Sequence, residues 1–305
     1  MAKKNKFSRD LHGLLVLDKS LGISSNQALQ RVKYLFNAKK AGHTGTLDPL
    51  ATGALVICFG RATKIADHIM ESEKSYYVVA KLGEQTDTGD KEGEVIKKSD
   101  VTASHIAQIA SVVENFQGEI EQIPPMYSAI KKDGVPLYKL AREGKEVDRK
   151  VRKIKIYSIA INEIQDNSVA MTVHCSKGTY IRTLVEDIGA ELGCYAHVEK
   201  LRRLSVGHYG NSHPMHTFEQ MESLHQSGMT VLDRLILPIE TAFSDYPKKI
   251  FKNGVILAME KGIRTSPKME ISNKYIRIYD TNQAFRGLGQ VNEDGSLHFS
   301  NFSFC

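Results

Sequence analysis

Cysteine is scarce in this chain of 305 residues: Cys58, Cys175, Cys194 and Cys305 stand far apart, three of them in apolar surroundings. That pattern argues against a disulfide framework or a zinc site and predicts reduced core thiols. Long apolar runs are missing as well. The stretch Ala54–Phe59 is about as long as they get, far short of the roughly twenty residues that span a bilayer. The opening Met-Ala-Lys-Lys-Asn-Lys is basic but has no apolar segment behind it, so no signal peptide is expected and the cytoplasm is the expected location. There is no phosphate-cradling loop and no dinucleotide fingerprint. Residues 85–93 look superficially like a calcium loop, but glycine replaces a second ligand and no bidentate glutamate follows. His213 and His216 are spaced loosely like ligands, yet they lack partners and flank a proline loop. The expectation is chemistry without metal or cofactor. Internal repeats and low-complexity tracts are also missing.

What is present is an ordinary globular composition, 41% hydrophobic and 25% charged, in a length that suits one large domain or two unequal ones. The formal net charge is +6, which leans toward a polyanionic partner. Its distribution says more. Between Lys131 and Lys155 there are ten Lys or Arg against four Asp or Glu. A solvated charged hairpin would explain that cluster, but contact with phosphates uses it better.

The chain is organised around residues 42–53, Gly-His-Thr-Gly-Thr-Leu-Asp-Pro-Leu-Ala-Thr-Gly. Gly42, Gly45 and Gly53 open backbone angles closed to other residues, and Pro49 biases Asp48 toward an extended conformation. A carboxylate is thereby held in a stiff loop next to the buried run 54–59. Asp48 is the catalytic candidate, as nucleophile, base or charge partner; the alternative is a turn aspartate bonding its own backbone.

Elsewhere, strand patterns cover 13–18, 54–59 and 74–82, and a hairpin joins 153–164 to 168–175 through Gln165-Asp166-Asn167. Helical spacing covers 24–37, 61–72, 102–116, 179–192, 217–226 and 230–242. Residues 85–93 read as a polar loop, 194–209 as strand and loop, and 245–247 as a linker. Short strands at 274–279, 289–291 and 297–299 predict a small β domain. Arg182, in the first turns of the helix that opens at Gly178-Thr-Tyr, could lie against Asp48 in a bidentate pair and keep it ionised.

The loop at 42–53, followed by Lys64, Lys74-Ser-Tyr76 and Gly178-Thr-Tyr-Ile-Arg-Thr183, resembles the bacterial tRNA pseudouridine-55 synthases of the TruB type, with the blocks in the expected order across 13–210. The resemblance implies an α+β fold: a mixed, mainly antiparallel sheet with flanking helices, plus a small C-terminal β domain. It implies a catalytic domain at 1–249 with a basic RNA-binding insertion near 124–152, and a PUA-like RNA-binding domain at 250–305. The implied reaction is isomerisation of a T-loop uridine in tRNA after the base is flipped, by a monomer with no obligate protein partner. Residue by residue, the catalytic aspartate falls on Asp48, the stacking tyrosine on Tyr76 and the arginine on Arg182. The histidine that fills the vacated stack falls on His43, and the uracil-pocket positions fall on Tyr180 and Leu201. Lysines near the pocket and RNA backbone fall on Lys19 and Lys64. Ser20 departs from the family's usual Lys-Pro, which puts the path of that turn in question.

Two other classes compete. A non-catalytic tRNA-binding module would not need Asp48, Tyr76 and Arg182 together. A nucleoside or glycoside hydrolase would want a second carboxylate as general acid, for which Asp87 and Asp90 are the nearby candidates, both read as solvent loop.

Overall fold

The computed structural model describes residues 8–261, 274–293 and 296–301; the basic N-terminal tag of sequence and Cys305 lie outside the described residues. The chain opens with strand β1 (Gly13–Lys19) and helix α1 (Ser25–Leu35), which starts on a capping box between Ser24 and Gln27. Strands β2 (Ala41–His43) and β3 (Ala51–Phe59) follow. The stretch 61–72 resolves into a 3₁₀ turn, Gly60–Ile65, and a short helix α2 (Ala66–Met70).

Strand β4 (Lys74–Leu82) buries every second residue, Lys74, Tyr76, Val78, Ala80 and Leu82, which is the period expected of a pleated strand. The residues read as a polar loop are framed by a ribbon, β5 (Glu84–Thr86) and β6 (Val95–Lys98). Next come α3 (Ala103–Asn115) and strand β7 (Gly118–Gln122), which short-range patterning did not reveal. The basic segment holds a tight exposed hairpin, β8 (Lys131–Lys132) with β9 (Val135–Pro136), and helix α4 (Leu137–Arg142). The expected hairpin is β10 (Arg152–Gln165) with β11 (Ser168–Cys175), turning at Asp166. Helix α5 (Ile181–Leu192) stops at Gly193, whose φ of 78° is the left-handed cap glycine allows. Strand β12 (Ala196–Val206) runs unbroken through what read as strand and loop.

These strands form one eight-stranded sheet in the order β1-β3-β12-β4-β11-β10-β7, with β2 on β3. Pairing is antiparallel except between β12 and β3, where Leu201, Arg202 and Arg203 lie parallel to Ala51, Thr52 and Gly53. That non-local pairing explains why β3 starts three residues before the apolar run. Gly53 is required there, because a Cβ would fall 2.1 Å from the Arg203 carbonyl oxygen. One face of the sheet packs on α1, α3, α5 and helix α6 (Phe218–Gln226). The other packs on the 3₁₀ turn and on Ile239 and Phe243. Beyond α6 come α7 (Met229–Leu232) and two 3₁₀ segments where one helix was expected, broken by Pro238.

The C-terminal part is a four-stranded sheet, β13 (Lys248–Ile250), β14 (Tyr275–Tyr279), β15 (Phe285–Val291) and β16 (Leu297–Asn301), with helix α8 (Asn253–Glu260). It has its own small core around Ile256, Ile276 and Ile278. Phe285 and Leu288 reach out of it to pack against the Phe243 cluster. The architecture is thus the expected α+β fold with a small C-terminal β domain. Cys58, Cys175 and Cys194 are free and buried.

Candidate active site

The loop bearing Asp48 is tied down at both ends. The Ser25 hydroxyl, buried at the start of α1, accepts from the Leu47 N–H at 2.7 Å and donates to the Leu47 carbonyl at 2.9 Å. The Ala51 N–H closes a turn on the Asp48 carbonyl at 3.0 Å, and Gly22 N–H holds the Pro49 carbonyl at 2.9 Å. Lys19, with 0% exposure, donates Nζ to the carbonyls of Ser20 (3.0 Å), Ile23 (2.7 Å) and Pro49 (3.4 Å). It braces the turn that carries Ser20. Burial lowers the Lys19 amine to about 8, against the pull of Asp48.

Asp48 opens onto a cavity of about 750 Å³, within the range that takes a small-molecule-sized group. Tyr76 from β4, Leu201 and Arg203 from β12, and Tyr180 and Arg182 at the start of α5 line it with Asp48. Of the eight residues singled out from the sequence, five converge here: Asp48, Tyr76, Tyr180, Arg182 and Leu201. Lys19 lies underneath as a brace. His43, half-buried on β2, lies outside the lining. Burial and the charge of Arg203 hold its imidazole below the usual range and so neutral. Lys64 sits exposed in the 3₁₀ turn, also outside the lining.

The Arg182 guanidinium, with a side chain only 5% exposed, meets Asp48 through Nε at 3.0 Å from Oδ2. The pair is single-point and not bidentate. The two terminal nitrogens are taken elsewhere, one donating to the Thr88 carbonyl at 2.8 Å and the other to the Tyr127 carbonyl at 2.6 Å. The helix end carrying Arg182 is itself fixed by Gln122 on β7, which accepts from the Tyr180 N–H and donates to the Tyr180 carbonyl. Burial pushes the Asp48 carboxyl up and Arg182 pulls it back. With 37% of the side chain open to the cleft, water offsets part of that burial. Burial likewise raises the Tyr76 phenol, opposed by Arg203.

Two residues of the site escaped the sequence reading. Asp90, read as solvent loop, is 4% exposed and lies 3.9 Å from the Arg182 Nε. Its Oδ1 accepts from the Thr88 hydroxyl and the Glu92 N–H, which turns the loop inward and aims the Thr88 carbonyl at Arg182. It pairs with the arginine from behind and does not line the cavity, so it is not placed as a hydrolase acid. Arg203, 2% exposed, donates Nε to the Ala54 carbonyl at 2.7 Å. Its signal was the inward register it shares with Leu201 and Ser205 on β12. His213, weighed as a metal ligand, packs its ring against His208 and Tyr209 instead. Among the described residues no helix is long and apolar enough to cross a membrane.

Solved structures share this fold. A Cbf5-Nop10-Gar1 complex matches 96% of this chain and 84% of its own with a TM-score of 0.73 at 25% identity. An H/ACA RNP bound to a substrate RNA containing 2′-deoxyuridine gives a TM-score of 0.72 at 22% identity, a likeness of fold. The fold is that of the pseudouridine synthases, and the class is isomerase. Residues 33–181 match the N-terminal domain of the TruB family of pseudouridylate synthases, and 182–244 match the tRNA pseudouridylate synthase B C-terminal domain. The tRNA pseudouridine synthase B of Shewanella sp. (strain MR-7) is 44% identical over 97% of this chain and 95% of its own length. That of Pseudomonas putida (strain F1) is 44% identical over 97% of both. The chain belongs to the TruB family of pseudouridylate synthases.

Proposed function

We propose that this enzyme isomerises uridine to pseudouridine at the T-loop position 55 of tRNA in the cytoplasm, acting as a monomer without cofactor, with Asp48 as the catalytic carboxylate. The observation that carries the reading is the Asp48–Arg182 pair, 3.0 Å apart on the wall of a cavity that also holds Tyr76, Tyr180 and Leu201. An enzyme acting on a base must take it out of the stack. The cavity is of a size to receive an extruded uridine, with Tyr76 as its stacking face and Tyr180 and Leu201 as its walls. His43, neutral and just outside, fills the gap left in the RNA stack. Lys64, exposed, contacts the backbone.

In the reaction the C1′–N1 bond breaks, the uracil turns while held, and C5 bonds to C1′. An ionised carboxylate assists by attacking the sugar, by attacking the ring, or by taking a sugar proton; each requires Asp48 charged and next to the nucleotide. Arg182 favours that state and fixes its direction. With the uridine seated against Tyr76, Tyr180 and Leu201, the base itself displaces the water that would otherwise turn isomerisation into base loss.

The domain reading belongs to the same proposal. Residues 1–249 form the catalytic body, and the basic insertion 124–152, whose Ser128, Ala129 and Ile130 line the cavity, carries Lys131, Lys132 and Arg142 to the T-arm. Residues 250–305, PUA-like, grip the tRNA away from the target. The decisive test is Asp48→Asn, which removes a charge but little volume. Pseudouridine formation is expected to fall to background with tRNA affinity and melting temperature nearly unchanged. Turnover within about tenfold of the native enzyme would refute the assignment, since positioned nucleophiles contribute far more.

A further inference from the structure

The cavity mouth carries a charge that does not suit a polyanion. Asp48 and Glu71 are the carboxylates that line the cavity, and Asp48 is spoken for by Arg182. Glu71, at the end of α2, lines the cavity and is ion-paired with Lys177 from the loop between β11 and α5, the two segments flanking the neighbouring strand ends where Lys74 pairs with Cys175. Both side chains are more than half exposed. An exposed pair of this kind contributes little to folding, about 0–1 kcal/mol, so stability does not account for an acid at a basic entrance. The deeper cations are already committed. Lys74 donates Nζ to the Met70 and Ser72 carbonyls, and Arg203 donates to the Ala54 carbonyl. Arg152 and Lys153 also line the cavity and are exposed; Lys177 differs from all of these in being paired with an exposed carboxylate of the same lining, which solvent or another anion can replace.

We infer, building on the function proposed above, that Lys177 binds a backbone phosphodiester of the RNA at the cavity, and that Glu71 holds this ammonium until the phosphate displaces it. A carboxylate and a phosphodiester are both anionic acceptors for an ammonium, so entry exchanges one partner for the other. The cost is the lost pair plus the repulsion between Glu71 and the incoming phosphate, so Glu71 weakens RNA binding while Lys177 strengthens it. No bond to the reacting atoms is involved, and kcat should be insensitive to either side chain.

The test is a mutant cycle, Lys177→Gln, Glu71→Gln and the double variant, with unmodified tRNA transcript as the probe. Both the Kd by filter binding and the kcat and KM for pseudouridine formation are followed across a range of salt. Lys177→Gln is expected to raise Kd and KM by about threefold or more and to flatten the log–log salt slope by roughly 0.7–0.9, the value of one lost phosphate contact. Glu71→Gln is expected to lower both constants, and to do so by a larger factor while Lys177 is present. An unchanged slope in Lys177→Gln overturns the inference. So does equal tightening by Glu71→Gln with and without Lys177, which would make Glu71 a general repeller of RNA. A native enzyme that binds the transcript but forms no pseudouridine would refute the proposed function instead, and the binding slopes would still decide the role of Lys177. Melting temperatures of the three variants guard against unfolding as the cause of any loss.

Discussion

Replacing Arg182 probes the site most directly, because one guanidinium there serves three acceptors and faces a second carboxylate. It meets Asp48 at 3.0 Å and the carbonyls of Thr88 and Tyr127 at 2.8 and 2.6 Å, and lies 3.9 Å from Asp90. Arg182→Met leaves Asp48 and two carbonyls without their donor, and Asp90 without its counter-charge, in a place where the side chain was 5% exposed. Breaking a buried pair in this way typically costs about 3–5 kcal/mol. Because Asp48 opens onto the cleft and can recruit water, the low end of that range applies, and the protein should still fold. Arg182→Lys keeps the charge, but a compact ammonium cannot span Asp48 and both carbonyls. Loss of orientation and charge support at Asp48 should lower kcat by about 10²–10³, equivalent to roughly 2.7–4 kcal/mol, more for methionine than for lysine. The pH profile carries the sign. Arg182 pulls the Asp48 carboxyl down, so without it Asp48 ionises at higher pH and the acid limb of kcat must move upward, further for Met than for Lys. The assay is pseudouridine formation on transcript tRNA under single-turnover conditions across pH, with thermal melts alongside. A kcat within about threefold of native in Arg182→Met, or an acid limb that stays in place, would refute the reasoning.

Three further outcomes follow from the same geometry. Asp90→Asn should move the acid limb the opposite way, since the Asp90 charge pushes the Asp48 carboxyl up; a limb that moves upward would mean that Asp90 acts by holding Arg182 in place. Lys19→Met leaves the carbonyls of Ser20, Ile23 and Pro49 without their shared donor, so thermal or urea melts should show a loss of about 1–3 kcal/mol, with kcat reduced through the loosened Asp48 loop. A native-like melt would show that the brace is dispensable. The triple change of Lys131, Lys132 and Arg142 to Gln should flatten the salt dependence of tRNA binding by roughly one per lost contact, and an unchanged slope would leave the β8–β9 hairpin a solvated one.

Short-range physics made much of this protein legible in its sequence. Strand formers marked β4, the Gln165-Asp166-Asn167 turn defined the β10–β11 hairpin, and helical spacing over 24–37 marked α1. The stiff loop at 42–53 marked Asp48, because glycine and proline chemistry acts over a few residues and needs no distant partner. Tertiary structure decided what depends on distant pairing. The first three residues of β3 are strand because β12 lies parallel to them, and β7 is strand because β10 offers it an edge. Asp90 read as solvated since turn residues usually are, yet its loop folds inward to Arg182, about ninety positions along the chain. Arg182 itself was marked by its motif, but its single-point contact with Asp48 follows from the carbonyls of Thr88 and Tyr127 claiming its other nitrogens. A sequence records which groups can ionise and which turns they favour; how much water each loses, and which charge it then faces, is set only when remote segments close around it.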